Sequence, residues 1–257
     1  SGPSVSRSGS VYTISAGGSY TVSGKLSDGQ LVVSVSEKED VEITLDNASV
    51  SCSSAAPVLI TSADNVKIVA KAGTDNYVTD GRTSISDAET TNYDAAVYSE
   101  CDLEFSGTGS LTVSAEKADN GIKTKDDLDI AELTLSVTAS GNALKGNDSV
   151  TIHSGSLTLK SAAGDAVKTD NSGTSSKGNQ KGTVTIEGGK IDIYAANDGI
   201  DAAYDVIINS SDAVLSIYTG TYAGGNTDTK VSYSYGNTRR STVSSSYSAK
   251  GIKAGLN

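Results

Sequence analysis

Asp165, Asn197, Asp198 and Asp201 are the residues of this sequence best suited to chemistry, since all four are hard oxygen donors and three carry charge at neutral pH. Carboxylate and amide oxygens at that density suit calcium, which takes about 6 to 8 oxygen ligands. Asp165 lies well upstream of the other three, so the fold must lay one stretch over the other. Without a proton or cation between them, carboxylates at that spacing repel. A second acidic group comprises Asp126, Asp148 and Asn171, with Glu100, Asn147 and Asp170 beside it. It falls in turn-like sequence, where Asp and Asn also serve ordinary turns, so a calcium site and a solvated turn both fit. Lys123, Lys145, Lys168 and Lys253 form a basic row next to the acids. Such a row balances charge, recognises sugar carboxylates or, with one lysine neutral, abstracts a proton beside a uronate carboxyl. Tyr194 and Tyr218 offer aromatic faces to pyranose rings, or simply stabilise a sheet. The single histidine, His153, sits mid-strand in Val150-Thr151-Ile152-His153, which argues against a Ser-His-Asp triad.

What would bring these residues together is an internal repeat. A polar Asp or Asn, a small residue and an aliphatic residue recur as Asp94-Ala95-Ala96-Val97, Asn120-Gly121-Ile122, Asn142-Ala143-Leu144, Asp165-Ala166-Val167, Asp198-Gly199-Ile200 and Lys250-Gly251-Ile252. The aliphatic marks at 97, 122, 144 and 167 are 25, 22 and 23 residues apart, and the steps to 200 and 252 are longer by inserted loops. Between marks come two segments of period-2 alternation, such as Val150-x-Ile152 with Leu157-x-Leu159 and Val184-x-Ile186 with Ile191-x-Ile193. Alternation of that kind reads as strand. Val41-x-Ile43-x-Leu45 and Val66-x-Ile68-x-Ala70 carry it upstream. Three short strands in about 22 residues leave no room for a helix. They predict an all-β, right-handed parallel β-helix of about eight coils, a solenoid with equal positions stacked about 4.8 Å apart. Asn120, Asn142, Asp165 and Asp198 then form one column, in which Asn120 and Asn142 suit a hydrogen-bonded ladder and the aspartates suit a metal.

Composition agrees. Trp and Met are absent, Phe occurs once and Gly 27 times, which suits a thin stacked interior of Val, Ile, Leu and Ala. The net charge of -11 excludes a nucleic-acid partner, because phosphate binding needs a basic face. Nothing approaches the apolar length of a membrane span, so no membrane insertion is expected. Cys52 and Cys101 fall at different places in the repeat and leave a disulfide open. Residues 1–9 read as a tail or a cloning remnant, and 10–257 as one domain. Loop insertions are expected near 73–93, 172–182 and 219–248, the last rich in tyrosine (Tyr222, Tyr233, Tyr235, Tyr247) with Arg239 and Arg240.

The run from Asn142 to Leu159, with Gly164-Asp-Ala-Val-Lys-Thr-Asp and Asn197-Asp-Gly-Ile-Asp-Ala, resembles a clostridial β-helix family of carbohydrate-binding proteins over roughly residues 10–257. The resemblance implies a secreted, extracellular or cell-surface protein that binds calcium, cellulose and acidic polymers such as polygalacturonate, without established catalysis. It also implies a pectate-lyase-like solenoid, while the columns themselves offer Lys145, Lys168, Tyr194, Tyr218 and Lys253 as sugar contacts. That family is similar to calcium-dependent pectate lyases with a lysine base. Asp165 matches their first aspartate, Asn197-Asp198-Gly-Ile-Asp201 their second motif with Asn for one Asp, and Lys250 or Lys253 the base. A monomer is expected.

Overall fold

The computed structural model describes residues 4–83, 93–117, 120–220, 230–234, 237–238 and 249–255, and among them every element is a strand. No helix long and apolar enough to cross a membrane is present there. The strands form two sheets. The ten-stranded first sheet starts with the antiparallel pair Val5–Ser8 and Val11–Ile14 and continues in parallel through Gln30–Ser34, Val58–Ser62, Ala95–Ser99 and Asn120–Thr124. Leu144–Gly146, Val167–Lys168, Ile200–Ala202 and Ile252–Ala254 complete it. Its register is the one the repeat dictates: Val97, Ile122, Leu144, Val167, Ile200 and Ile252 are paired in succession. The second sheet has sixteen strands and forms two more faces joined by the 12-residue strand Val41–Cys52. Val41, Ile43 and Leu45 of that strand pair with Val66, Ile68 and Ala70, while Ser49 to Cys52 pair with Tyr77 to Asp80. Between the halves Asn47 takes a positive φ of 54°, a conformation Asn tolerates better than most residues.

The interior is the stacked aliphatic column that alternation predicts. Val97, Ile122, Leu144, Val167 and Ile200 are fully buried, and Leu103, Leu128, Val150, Val184, Leu135, Leu157, Ile191 and Ile193 join them in one core. Each contributes about 1.5–3 kcal/mol by leaving water. The small residue before each mark has a steric cause. A Cβ on Gly121 would lie 2.2 Å from Val137, and one on Gly199 would lie 2.3 Å from Ile217 and 2.5 Å from the Gly251 carbonyl.

Two sequence boundaries need correction. Val5–Ser8, assigned to a tail, is a strand on Val11–Ile14. The expected insertion at 73–93 contains the strand Asp75–Asp80, which pairs with both Val41–Cys52 and Ser110–Ala115. Its pattern Asp-Asn-Tyr-Val-Thr-Asp hides the strand, because Asn76 points inward, fully buried, where an aliphatic residue is usual. The Asn76 side chain is satisfied there by Ala48 N–H, Thr74 Oγ1 and Ser110 O. Segment 172–182 does leave the sheets, closed by a Thr174–Gln180 bridge. Of 219–248, the strand Lys230–Ser234 pairs antiparallel with Val214–Thr219, while Tyr222, Tyr235, Tyr247, Arg239 and Arg240 lie outside the described residues. Cys52 and Cys101 are both buried and free.

Candidate functional site

At the entry edge of the first sheet the polar column becomes a ladder. Asn120 Nδ2 donates to Asp94 O and Oδ2, and Asn142 donates its backbone N–H and Nδ2 to Asn120 Oδ1. The Asp165 N–H donates to Asn142 Oδ1 at 2.9 Å, the Asp198 N–H to Asp165 Oδ1 at 2.9 Å, and the Lys250 N–H to Asp198 Oδ1 at 2.6 Å. The ladder expected for Asn120 and Asn142 therefore runs the whole column. Asp94, which begins it, was not among the sequence candidates, although its place one residue before Ala95 in the repeat was the available signal.

At Asp165 and Asp198 only one carboxylate oxygen is used this way. Both residues meet Asp201 in a group of three carboxylates whose ligand atoms lie within 4.8 Å of one another, the one such group among the described residues. Asp165 and Asp198 are 3% exposed and Asp201 8%, too buried for solvent alone to offset the repulsion. Two ammonium ions sit among them. Lys168 Nζ is 2.9 Å from both Asp165 and Asp201, and Lys253 Nζ is 2.9 Å from Asp201 and 3.7 Å from Asp198. Burial by itself would lower the Lys168 pKa, but hydrogen bonds to Asp201 and Asp165 prevail and raise it. The Asp201 carboxyl is likewise held below its ordinary value, since Lys168 and Lys253 outweigh the cost of burial. Three carboxylates against two ammonium ions leave one negative charge. The oxygens not tied to the backbone all face exchangeable ammonium ions, so the donor set suits a hard divalent cation. Asn197 is exposed and joins the cluster as a donor, with Nδ2 2.7 Å from Asp165 Oδ1.

The second acidic column does not converge in this way. Asp148 Oδ1 accepts from Asn147 and Asn171, at 2.9 and 2.7 Å, while Oδ2 pairs with Lys181 from the 172–182 segment. Asp170 turns away to Lys145, 2.6 Å off. Asp126 faces an open groove of about 840 Å³ whose lining includes Glu100, Asp102, Asp127 and Asp148. Burial and then the Asp148 charge push its carboxyl above the usual range, and burial does the same to Asp102.

The expected sugar contacts divide between faces. Lys145, Lys168 and Lys253 are on the first sheet, all ion-paired. Tyr194 and Tyr218 pair on the third face, with ring centroids 4.9 Å apart and planes 4° from parallel. Coplanar side-by-side rings cannot come so close, so each ring covers a face of the other and the pair offers no continuous flat platform. The Lys250 backbone caps the ladder, and its side chain is exposed.

Comparison with known proteins places this geometry in context. Residues 8–257 match the family described as carbohydrate-binding domain-containing protein. A relative of that same description from Acetivibrio thermocellus is 38% identical over 201 residues, covering 78% of this chain and 68% of its own length. A solved structure described as the polysaccharide lyase-like protein from C. thermocellum, gadolinium derivative, superposes with a TM-score of 0.81 at 31% identity. The match covers 98% of this chain and 88% of that one.

Proposed function

The chain belongs to the carbohydrate-binding domain-containing protein family, and from that premise we propose that it is a secreted, monomeric, calcium-dependent binder of polysaccharide. In this reading the stacked strands form a right-handed parallel β-helix of about eight coils, exposed outside the cell or on its surface. Calcium is held by Asp165, Asp198 and Asp201, and the ligands are cellulose and acidic polymers such as polygalacturonate. The observation that carries the proposal is the carboxylate triad, buried, convergent and left with one net negative charge beside its two lysines. Bound there, calcium supplies a Lewis-acidic centre for uronate carboxylates. Lys168 and Lys253, set among the carboxylates, add positive charge beside the bound polyuronate.

The test is calorimetric titration with calcium, followed by affinity electrophoresis on polygalacturonate with and without chelator. Retention that needs calcium and is lost in Asp198→Asn supports the reading, whereas equal retention in chelator removes it.

A second reading, β-elimination by a lysine base, is favoured by the lyase-like neighbour and by Lys253 beside Asp201 at 2.9 Å. Such a base must shed its proton, and contacts to two carboxylates favour the ammonium form of both Lys168 and Lys253. Binding without catalysis is the better fit. Ultraviolet absorbance from unsaturated uronide, formed from polygalacturonate plus calcium and lost in Lys253→Ala, would reverse that preference.

A further inference from the structure

The third face carries a pattern that the cation site does not use. Three consecutive strands, Ser110–Ala115, Thr134–Ala139 and Ser156–Ser161, pair without a slip in register. Alternate residues point outward, giving the rows Ser110-Thr134-Ser156, Thr112-Ser136-Thr158 and Ser114-Thr138-Lys160. Eight of these nine positions carry a hydroxyl and only Lys160 carries charge, on a chain of net charge -11. The grid repeats about 4.8 Å between strands and about 6.6 Å along them. The inward residues Leu111, Val113, Leu135, Val137, Leu157 and Leu159 are buried, which fixes the outward direction of the others.

The hydroxyls are also unclaimed. Ser110 Oγ donates to Asp75 at 2.6 Å, but among the described residues nothing in the protein bonds the hydroxyls of Thr112, Ser114, Thr134, Ser136, Thr138, Ser156 or Thr158. The outward groups of the second face differ. Lys67 pairs with Glu104, Ser149 with Asp127, and His153 lies between Asp129 and Glu187. A hydroxyl both donates and accepts, so a periodic, uncharged grid of them is complementary to another uncharged hydroxyl surface.

We infer that this face is a separate, cation-independent docking surface for an uncharged polysaccharide laid flat. The inference rests on the reading that the ligands are polysaccharides, and it assigns the uncharged class to the hydroxyl grid and the anionic class to the triad. Tyr194, in register with Lys160, and Tyr218 beyond it mark the border where the grid ends.

The experiment is sedimentation with microcrystalline cellulose and, in parallel, retention on polygalacturonate with calcium. Ser136→Arg, at the centre of the grid, should weaken cellulose binding at least about tenfold while melting temperature and polygalacturonate retention stay unchanged. Should the arginine disturb folding, Thr112→Ala/Ser136→Ala/Thr158→Ala removes the middle row without added bulk and should still cost about threefold or more. Asp198→Asn should show the converse, and chelator should leave cellulose binding intact. Undiminished cellulose binding by folded Ser136→Arg, or its loss on chelation, overturns the assignment. An oligomer that Ser136→Arg turns into monomer overturns it too, by making a second copy the occupant. Failure of wild type to bind either polymer sinks the polysaccharide reading itself, and is thereby distinguishable.

Discussion

Two acidic columns come from the same repeat and the same residue type, yet only one gathers its charges. At Asp165 and Asp198 a backbone N–H from the following repeat takes one oxygen, and the two carboxylates still gather with Asp201. At Asp148 two amides and Lys181 take both oxygens, Asp170 leaves for Lys145, and Asp126 is left facing a groove. Column position sets which residues are neighbours. The partner of each second oxygen decides whether neighbours become a site.

The most disruptive way to test the contrast is from below. Ile200→Ala, beneath the triad, and Leu128→Ala, beside the groove, both truncate fully buried side chains and should each cost about 2–5 kcal/mol in urea denaturation. Only Ile200→Ala should also weaken calcium binding in calorimetry, and equal affinity in both variants would detach the triad from the ion. Calcium at about a hundred times its Kd should stabilise wild type by about 2.7 kcal/mol in thermal melts. Asp198→Asn should abolish that gain and Asp126→Asn should keep it; the reverse would move the ion to the groove. Lys181→Ala should change stability by less than about 1 kcal/mol, since the pair it breaks is partly solvated. A larger loss in the melt would make the groove a structural ion-pair site rather than a solvated one.

The smallest effect belongs to a third acidic pair, Asp129 and Glu187, bridged by His153 at 3.0 and 2.7 Å. Burial lowers the imidazole pKa, but Glu187 and Asp129 outweigh it and raise it above its ordinary value. A raised value stabilises the fold below the ordinary imidazole range, and the contribution fades as pH climbs through the raised one. The melting-temperature gap between wild type and His153→Gln should therefore be larger at acidic pH than at alkaline pH. With the imidazole 42% exposed, it should stay under about 1 kcal/mol. A gap that grows with pH would contradict the bridge.

The aliphatic repeat is enough to predict the parallel stack, its register and the meeting of Asp165 with Asp198 and Asp201. The reason is that backbone pairing fixes equal positions one above another, and the period is written in the aliphatic marks from Val97 to Ile252. Where an irregular residue broke that period, as at Asn76, the strand was invisible and became legible only through the hydrogen bonds that satisfy it. Where side chains point within the columns is visible only in the folded contacts. They alone show that Lys168 and Lys253 lie among the carboxylates and that Asp170 turns toward Lys145. They also show that Tyr194 and Tyr218 stack one face of each ring on the other. Those choices depend on charges and contacts one coil away, tens of residues distant in the chain, which no local pattern encodes.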